Sequence, residues 1–363
     1  MRSRLKEDAG IILFVLLLAG LIRIVWFNTF YNWDVLPYAA LVNEPLSDPV
    51  RLQASAYAAA DAEAPREAAL DLRGGPINQR YRADMASDPW HFAEQLPLYS
   101  VKPLYILVLA GIHHLGAGTF NAARLISLLS FVFFGTILFL WMRPYTGGLL
   151  AAVGSCFLLS TAEILGCGAQ TTPDALFSVL ALAGLYFIFA RKQFFWGWGL
   201  LALVPLVRTD GLVLMALVLA LLAWRSPEFP KRYGLAIVGA EILASLVMGW
   251  LGGGYGFQTL FYHSFVERLV APAEATVRVT MAEYFRALHI FVLGSLATPR
   301  PLYFLLGLIS LRARGTPPVL QGMAWLGLAF AVVHIVLFPL PDSRFLMLPF
   351  ALIVLWAAGS LAA

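Results

Sequence analysis

Charged side chains are scarce in this chain: Asp, Glu, Lys and Arg make up 13% of its 363 residues, against 60% hydrophobic ones. A soluble domain carries about a quarter charged residues, so a water-soluble globule is excluded. Cysteine is nearly absent. Cys156 and Cys167 lie in or beside one apolar run, and neither a disulfide framework nor a CxxC metal site can be built from them. No basic stripe interleaved with aromatics occurs, which argues against a nucleic-acid partner. The glycines of "GGGYG" at 252–256 precede neither Lys-Ser/Thr nor a Rossmann pattern, so no nucleotide cradle is expected. His91 lacks the second His of a HExxH site, and the adjacent His113 and His114 point apart on a helix. No Ser-His-Asp or Cys-His grouping follows from spacing.

What the chain has instead is apolar length. Mean hydropathy is +0.77, and apolar runs stand near 10–27, 121–142, 148–166, 174–190, 194–207, 211–224, 234–251, 299–311, 318–338 and 345–361. A spanning helix needs ~20 residues. The expected fold is therefore all-α: one polytopic transmembrane domain over 1–363, with about ten spanning helices. The run 103–117 is too short for an easy crossing and is expected to be re-entrant or interfacial. No small-residue cleavage site follows the first run, so it is taken as a retained span. Arg2, Arg4 and Lys6, Arg143, Arg191 and Lys192, Arg225 with Lys231 and Arg232, and Arg312 with Arg314 can then share one side. The positive-inside rule makes that side, and both termini, cytoplasmic, in a multi-pass inner-membrane protein. Segments 28–102 and 252–298 fall on the other face. Their Ala-rich stretches and aromatics suit interfacial helices.

Ionisable residues near bilayer depth are costly and call for a reason. Asp34, in "YNWDVLPYAALV", stands among aromatics where the first span ends. Asp174 opens a helix after Pro173, where an acid also complements the helix dipole. Arg208 and Asp210, in "VRTDG", can pair with each other. Lys102 and Arg344 lie at outer ends of apolar runs, at the depth of a phosphate head group, where lipid snorkelling also places cations. His263 and Glu267 are four apart and can share a helical face, but two residues do not make a metal site. Glu163 and Glu241 sit inside apolar runs, as helix-packing acids or substrate contacts. "KPLY" from Lys102 and "RPLY" from Arg300 echo each other where apolar helices begin.

The order "YNWDVLPYAALV", "SVKPLYILVLAGIHHLGAGTFNAARLISLL", "AQTTPDALFSVLALAGLYF", "LVPLVRTDGLVLMALVL" and "DSRFLMLPFALIVL" resembles bacterial members of the GT-C glycosyltransferase superfamily. These are multispan relatives of protein mannosyltransferases and aminoarabinose transferases. The likeness runs through 1–225 and returns at 340–361. It implies a polyprenyl-phosphate sugar donor, used on the outer face to glycosylate a glycan, lipid or protein acceptor, with 28–102 and 252–298 over the active site. The family's catalytic acid falls on Asp34. Family members often have Asp-Glu there, whereas this chain has Asp34-Val35. The family's two cations fall on Lys102 and Arg344, with Phe345 in place of a tyrosine.

Chemistry leads the same way. Departure of a lipid phosphate leaves an oxocarbenium-like centre, and the phosphate needs cations, for which Lys102, Arg344 and Arg208 are available. The acceptor hydroxyl needs a base, and a single carboxylate at Asp34 implies inversion. Asp174, Asp210, Tyr38, Tyr105 and His263 complete the expected substrate contacts. No cofactor is required; a divalent metal is permitted by the acids but demanded by no ligand spacing. The rival reading is a lipid-linked-sugar flippase, which would place Gly/Pro-broken helices in two repeated halves. A non-catalytic subunit of the same fold is a third, and the presence of Asp34 speaks against it.

Overall fold

The computed structural model describes residues 2–45, 48–75, 80–225, 231–313, 315–340 and 342–361. Arg314 and the side chains of Arg2, Arg4, Lys6, Arg225, Lys231 and Arg232, used above for orientation, lie outside the described part.

Among the described residues the regular elements are helices. Helix α1 (Arg2–Phe27) is followed by α2 (Val35–Asn43), α3 (Pro49–Glu63), α4 (Arg66–Leu72), α5 (Arg80–Ser87), α6 (Pro89–Gln95) and α7 (Pro97–Ser100). Next come α8 (Pro103–His114), the long α9 (Thr119–Thr146), α10 (Gly148–Leu159), α11 (Ala162–Ala169) and α12 (Asp174–Leu185), which runs into a π turn, Tyr186–Ala190. Then follow α13 (Phe194–Leu203), α14 (Gly211–Arg225), α15 (Lys231–Leu251), α16 (Phe257–Phe265) and α17 (Met281–Leu296). The last are α18 (Arg300–Ser310), α19 (Pro318–Leu337), a 3-10 turn at Ser343–Leu346 and α20 (Met347–Leu361).

Helix starts follow local chemistry. Asp48 and Asp88 cap α3 and α6, accepting from Arg51 N at 3.0 Å and Trp90 N at 2.8 Å. Thr280 and Glu283 form a capping box on α17. The N-terminus of α9 is capped from a distance: Glu63 of α3 accepts from Phe120 N at 3.0 Å and Asn121 N at 3.1 Å. That contact fastens α3 to the start of α9.

Apolar helices occupy all ten of the expected runs. Among the described residues, four are long and apolar enough to cross a membrane alone: Glu7–Phe27, Thr119–Thr146, Gly234–Leu251 and Pro318–Leu337. Three bent pairs raise that number to as many as seven, among them α10 with α11, bent by 68°. The others are short for a straight crossing. Helix α8 rises only about 18 Å against a ~30 Å hydrocarbon core, and it bends away from the preceding helix by 108°. The two "PLY" echoes start α8 and α18, each the second helix of a bent pair, at 108° and 95°.

Helix α9 is the axis of the core, packed against α1, α8, α10, α11, α12 and α20. At the end of the molecule where the chain begins, α1 and α10 approach so closely that a Cβ on Gly10 would fall into the backbone of Gly148. Arg143 Nη2 bonds Glu7 Oε2 at 2.5 Å beside it. Gly10→Val is therefore expected to force α1 off α10 and lower stability by about 1–3 kcal/mol, read as a lower melting temperature in detergent.

Candidate active site

The segment after α1 is held by a short parallel bridge between Phe30 and Gln170. Phe30 N donates to Ala169 O at 2.9 Å and Asn32 N to Thr171 Oγ1 at 3.2 Å. Asn32 Oδ1 then accepts from Asp34 N at 3.1 Å. This brings Asp34 beside the start of α12. Asp34 precedes α2, but its side chain makes no cap bond there. It accepts instead from Tyr99 OH at 3.2 Å and from Arg344 Nη1 at 3.2 Å, and it remains 21% exposed.

From Asp34 a chain of opposite charges runs inward. Arg344 Nη1 lies 3.7 Å from Asp174 Oδ2, and its Nε lies 2.9 Å from Asp342 Oδ2, although that N–H does not point along a hydrogen bond. Asp342 also caps the 3-10 turn, accepting from Arg344 N at 3.1 Å, which fixes the backbone carrying the arginine. Asp174 Oδ1 accepts from Arg208 Nη1 at 2.7 Å, and Asp210 Oδ2 from Arg208 Nη2 at 2.5 Å. The Arg208 guanidinium lies 4.6 Å from the ring centroids of both Phe177 and Phe345. His334 Nδ1 ends the chain, 3.2 Å from Asp210 Oδ2. The anticipated Arg208–Asp210 pairing is present, but it is one link of a longer array.

Lys102 is placed differently. It precedes α8, whose first turn is tied to the "VRTDG" region by Leu104 N donating to Leu206 O at 3.0 Å. Its Nζ donates to Tyr38 OH at 2.6 Å and stands 5.3 and 5.2 Å from the Tyr38 and Tyr99 rings. Among the described residues its ammonium lies in ion-pair contact with no carboxylate. Burial pulls its pKa down, Asp34 and Asp174 partly restore it, and it settles at about 8. Burial alone would raise the Asp34 carboxyl. The positive charges of Arg344, Lys102 and Arg268, with the Arg344 hydrogen bond, outweigh burial and hold it below its ordinary value.

Tyr105 packs edge-on to Tyr38 with centroids 4.8 Å apart, and its buried hydroxyl has no hydrogen-bond partner among the described residues. His263 stands apart, in the layer formed by 28–102 and 252–298. Its Nδ1 accepts from Leu269 N at 3.1 Å and its ring meets Tyr81 at 5.7 Å. Burial, then Arg268, lowers its pKa to about 4. Helix α16 ends at Phe265, before Glu267, so the expected shared helical face of His263 and Glu267 does not form. The two segments are stitched by Gln95 Nε2 donating to Val270 O at 2.9 Å and Tyr255 OH donating to Glu94 O at 3.1 Å.

Sequence reasoning missed Tyr99, Asp342, Arg268 and His334. For His334 a signal existed, since it is an ionisable group inside the apolar run 318–338. The other three join the site only through folding. Glu163 is buried in α11, within electrostatic reach of Arg300 and Tyr303 rather than of Asp34.

Arg208→Gln is expected to lower stability by about 3–5 kcal/mol, because two carboxylates lose their cation. Thermal unfolding in detergent measures it. Arg208→Lys should recover less than half, since an ammonium cannot span both acids and lie flat on two rings.

No family model matches the chain, and no curated protein matches it. Among solved structures, the crystal structure of ArnT from Cupriavidus metallidurans bound to undecaprenyl phosphate is similar, with 16% identity and a TM-score of 0.46. The match covers 71% of this chain and 49% of that one, so the chain spans about half the length of that structure.

Proposed function

We propose that this chain is an integral membrane glycosyltransferase that moves a sugar from a polyprenyl-phosphate donor to an acceptor hydroxyl on the outer face, with inversion. The observation that carries the reading is the pairing of a partly exposed carboxylate with a nearby cation that, among the described residues, has no carboxylate partner. Asp34 is 21% exposed, and Lys102 is held on Tyr38 alone among the described hydrogen-bonding side chains.

The donor phosphate takes the place of that missing counter-ion. Lys102 binds it, and Arg268, an exposed cation within electrostatic reach of Asp34, assists from the 252–298 layer. As the sugar–phosphate bond breaks, both electrons leave with the phosphate oxygen and its added charge falls on these cations. The acceptor oxygen attacks the opposite face of the anomeric carbon, and Asp34 takes its proton. A carboxylate surrounded by cations is a weak base. An arriving phosphate neutralises Lys102 and Arg268 and so strengthens Asp34 when the base is needed. Arg344 and Arg208, already committed to carboxylates, position Asp34 and Asp174 instead. Tyr81, only part-buried where it meets Trp33 edge-on, offers a stacking face to sugar or prenyl units. The layer of 28–102 and 252–298 keeps water from the cleavage site.

Transfer assays in proteoliposomes with a panel of radiolabelled polyprenyl-phosphate sugars test this. Label appearing on an acceptor supports it. No transfer from any donor, with labelled lipid crossing between leaflets, establishes the flippase instead.

A further inference from the structure

His334 belongs to an apolar helix, is 5% exposed, and lies three residues before the end of α19. Its Nδ1 is 3.2 Å from Asp210 Oδ2, the oxygen that Arg208 Nη2 reaches at 2.5 Å. A carboxylate can only accept, so Nδ1 carries the proton and the ring is held in one tautomer. Nε2 is buried without a hydrogen-bond partner among the described residues. The rings of Phe330, Phe338 and Phe345 stand 6.3, 6.2 and 5.4 Å from the imidazole. A phenylalanine would fill this box without leaving a buried nitrogen unsatisfied. What the imidazole adds in return is its bond to Asp210.

We propose that His334 is a positioning residue: by holding Asp210 it keeps Arg208 on Asp174, and thereby keeps Arg344 across Asp34. The argument lies in how carboxylates are shared. Asp174, 3% exposed on its side chain, is bonded by Arg208 at 2.7 Å and approached by Arg344 at 3.7 Å. Arg344 Nη1 is also 3.2 Å from Asp34, so, with its Nε 2.9 Å from Asp342, this guanidinium stands with Nη1 between two acids. With His334 in place, Arg208 satisfies Asp174 and Arg344 stays on Asp34. Without it, Asp210 keeps Arg208 as its one side-chain partner among the described residues and draws it off Asp174. A buried carboxylate cannot be left without a partner, so Asp174 pulls Arg344 inward and Asp34 loses its nearest cation. The groups facing the imidazole are Asp210 and Arg208 from the turn before α14, Phe345 from the 3-10 turn, and Phe330 and Phe338 of α19 itself.

The test uses full-length protein in proteoliposomes, as wild type, His334→Phe, His334→Asn and Asp210→Asn, each checked for folding by thermal unfolding. Two quantities are measured: sugar transfer, for which the inference rests on the transferase reading, and the titration of the Asp34 carboxyl in 13C-aspartate-labelled protein, which does not. His334→Phe should lower kcat about tenfold, the size expected of coupling through a contact chain, with the donor KM little changed. It should also raise the Asp34 titration. His334→Asn, whose amide can donate to Asp210, should recover most of both. The double variant His334→Phe/Asp210→Asn should be no worse than Asp210→Asn alone. An Asp34 titration unmoved in His334→Phe overturns the inference whatever the activity. A wild type that transfers no sugar overturns the transferase reading, and the titration still decides the role of His334.

Discussion

Asp34→Asn is expected to lower sugar transfer by about 10²–10⁴-fold while donor binding survives. Asparagine keeps the shape, and its one oxygen can accept from Arg344 while its amide donates to the Tyr99 hydroxyl, so what is lost is the charge and the ability to take a proton. Arg344 retains Asp342 and Asp174, and the variant should fold. The pH dependence has a definite sign. A base works deprotonated, so activity is lost as pH falls through the Asp34 pKa. Arg344, Lys102 and Arg268 overcome burial and hold that pKa below the usual carboxylate value in the free enzyme. The acid limb of kcat/KM should therefore lie below the pH at which an ordinary aspartate titrates. The acid limb of kcat, which reports the donor-bound enzyme, should lie higher, because the phosphate cancels part of the positive field. Rate profiles in proteoliposomes measure both. Wild-type turnover in Asp34→Asn would remove this residue from the mechanism and make Asp174 or Asp210 the base.

Lys102→Gln should cost about 10²–10³ in kcat, the scale for losing a group that stabilises developing charge. It should also abolish the alkaline limb. Lys102 binds phosphate only while protonated, and burial brings its pKa to about 8 despite Asp34 and Asp174. Wild-type activity should accordingly decline as pH rises through about 8. Lys102→Arg keeps its charge far above that pH, so its profile should stay flat there, at a reduced level set by poorer fit between Tyr38 and Tyr99. A wild-type profile that stays flat well above pH 8, or a Lys102→Gln variant with normal kcat, would place the leaving phosphate elsewhere. The two series separate base from phosphate site because they act on opposite limbs.

Much of this site was legible residue by residue. Asp34, Lys102, Asp174, Arg208, Asp210 and Arg344 each break an apolar context, and the cost of a charge at that depth marks them without any fold. Their partners were harder to read. The "VRTDG" spacing allows an Arg208–Asp210 pair, yet nothing in it brings Asp174, 34 residues earlier, to 2.7 Å from the same guanidinium. Tyr99 lies 65 residues from Asp34, in a segment that reads as surface helix, and its hydroxyl reaches the carboxylate only because α7 folds back. His263 shows the opposite error: a spacing of four suggested a shared face with Glu267, but α16 stops at Phe265.

The sequence by itself determined that this is a helical membrane protein, where its apolar helices lie, and which charges need a reason. Those properties follow from hydropathy along the chain, which is local. Which cation is committed and which is available was decided only by tertiary structure. Arg344 and Arg208 are held by acids that α1, α12 and α14 bring together, whereas Lys102 meets two tyrosine rings and a hydroxyl. Charge pairing depends on distances of a few ångströms between residues tens to hundreds of positions apart, and packing sets those distances.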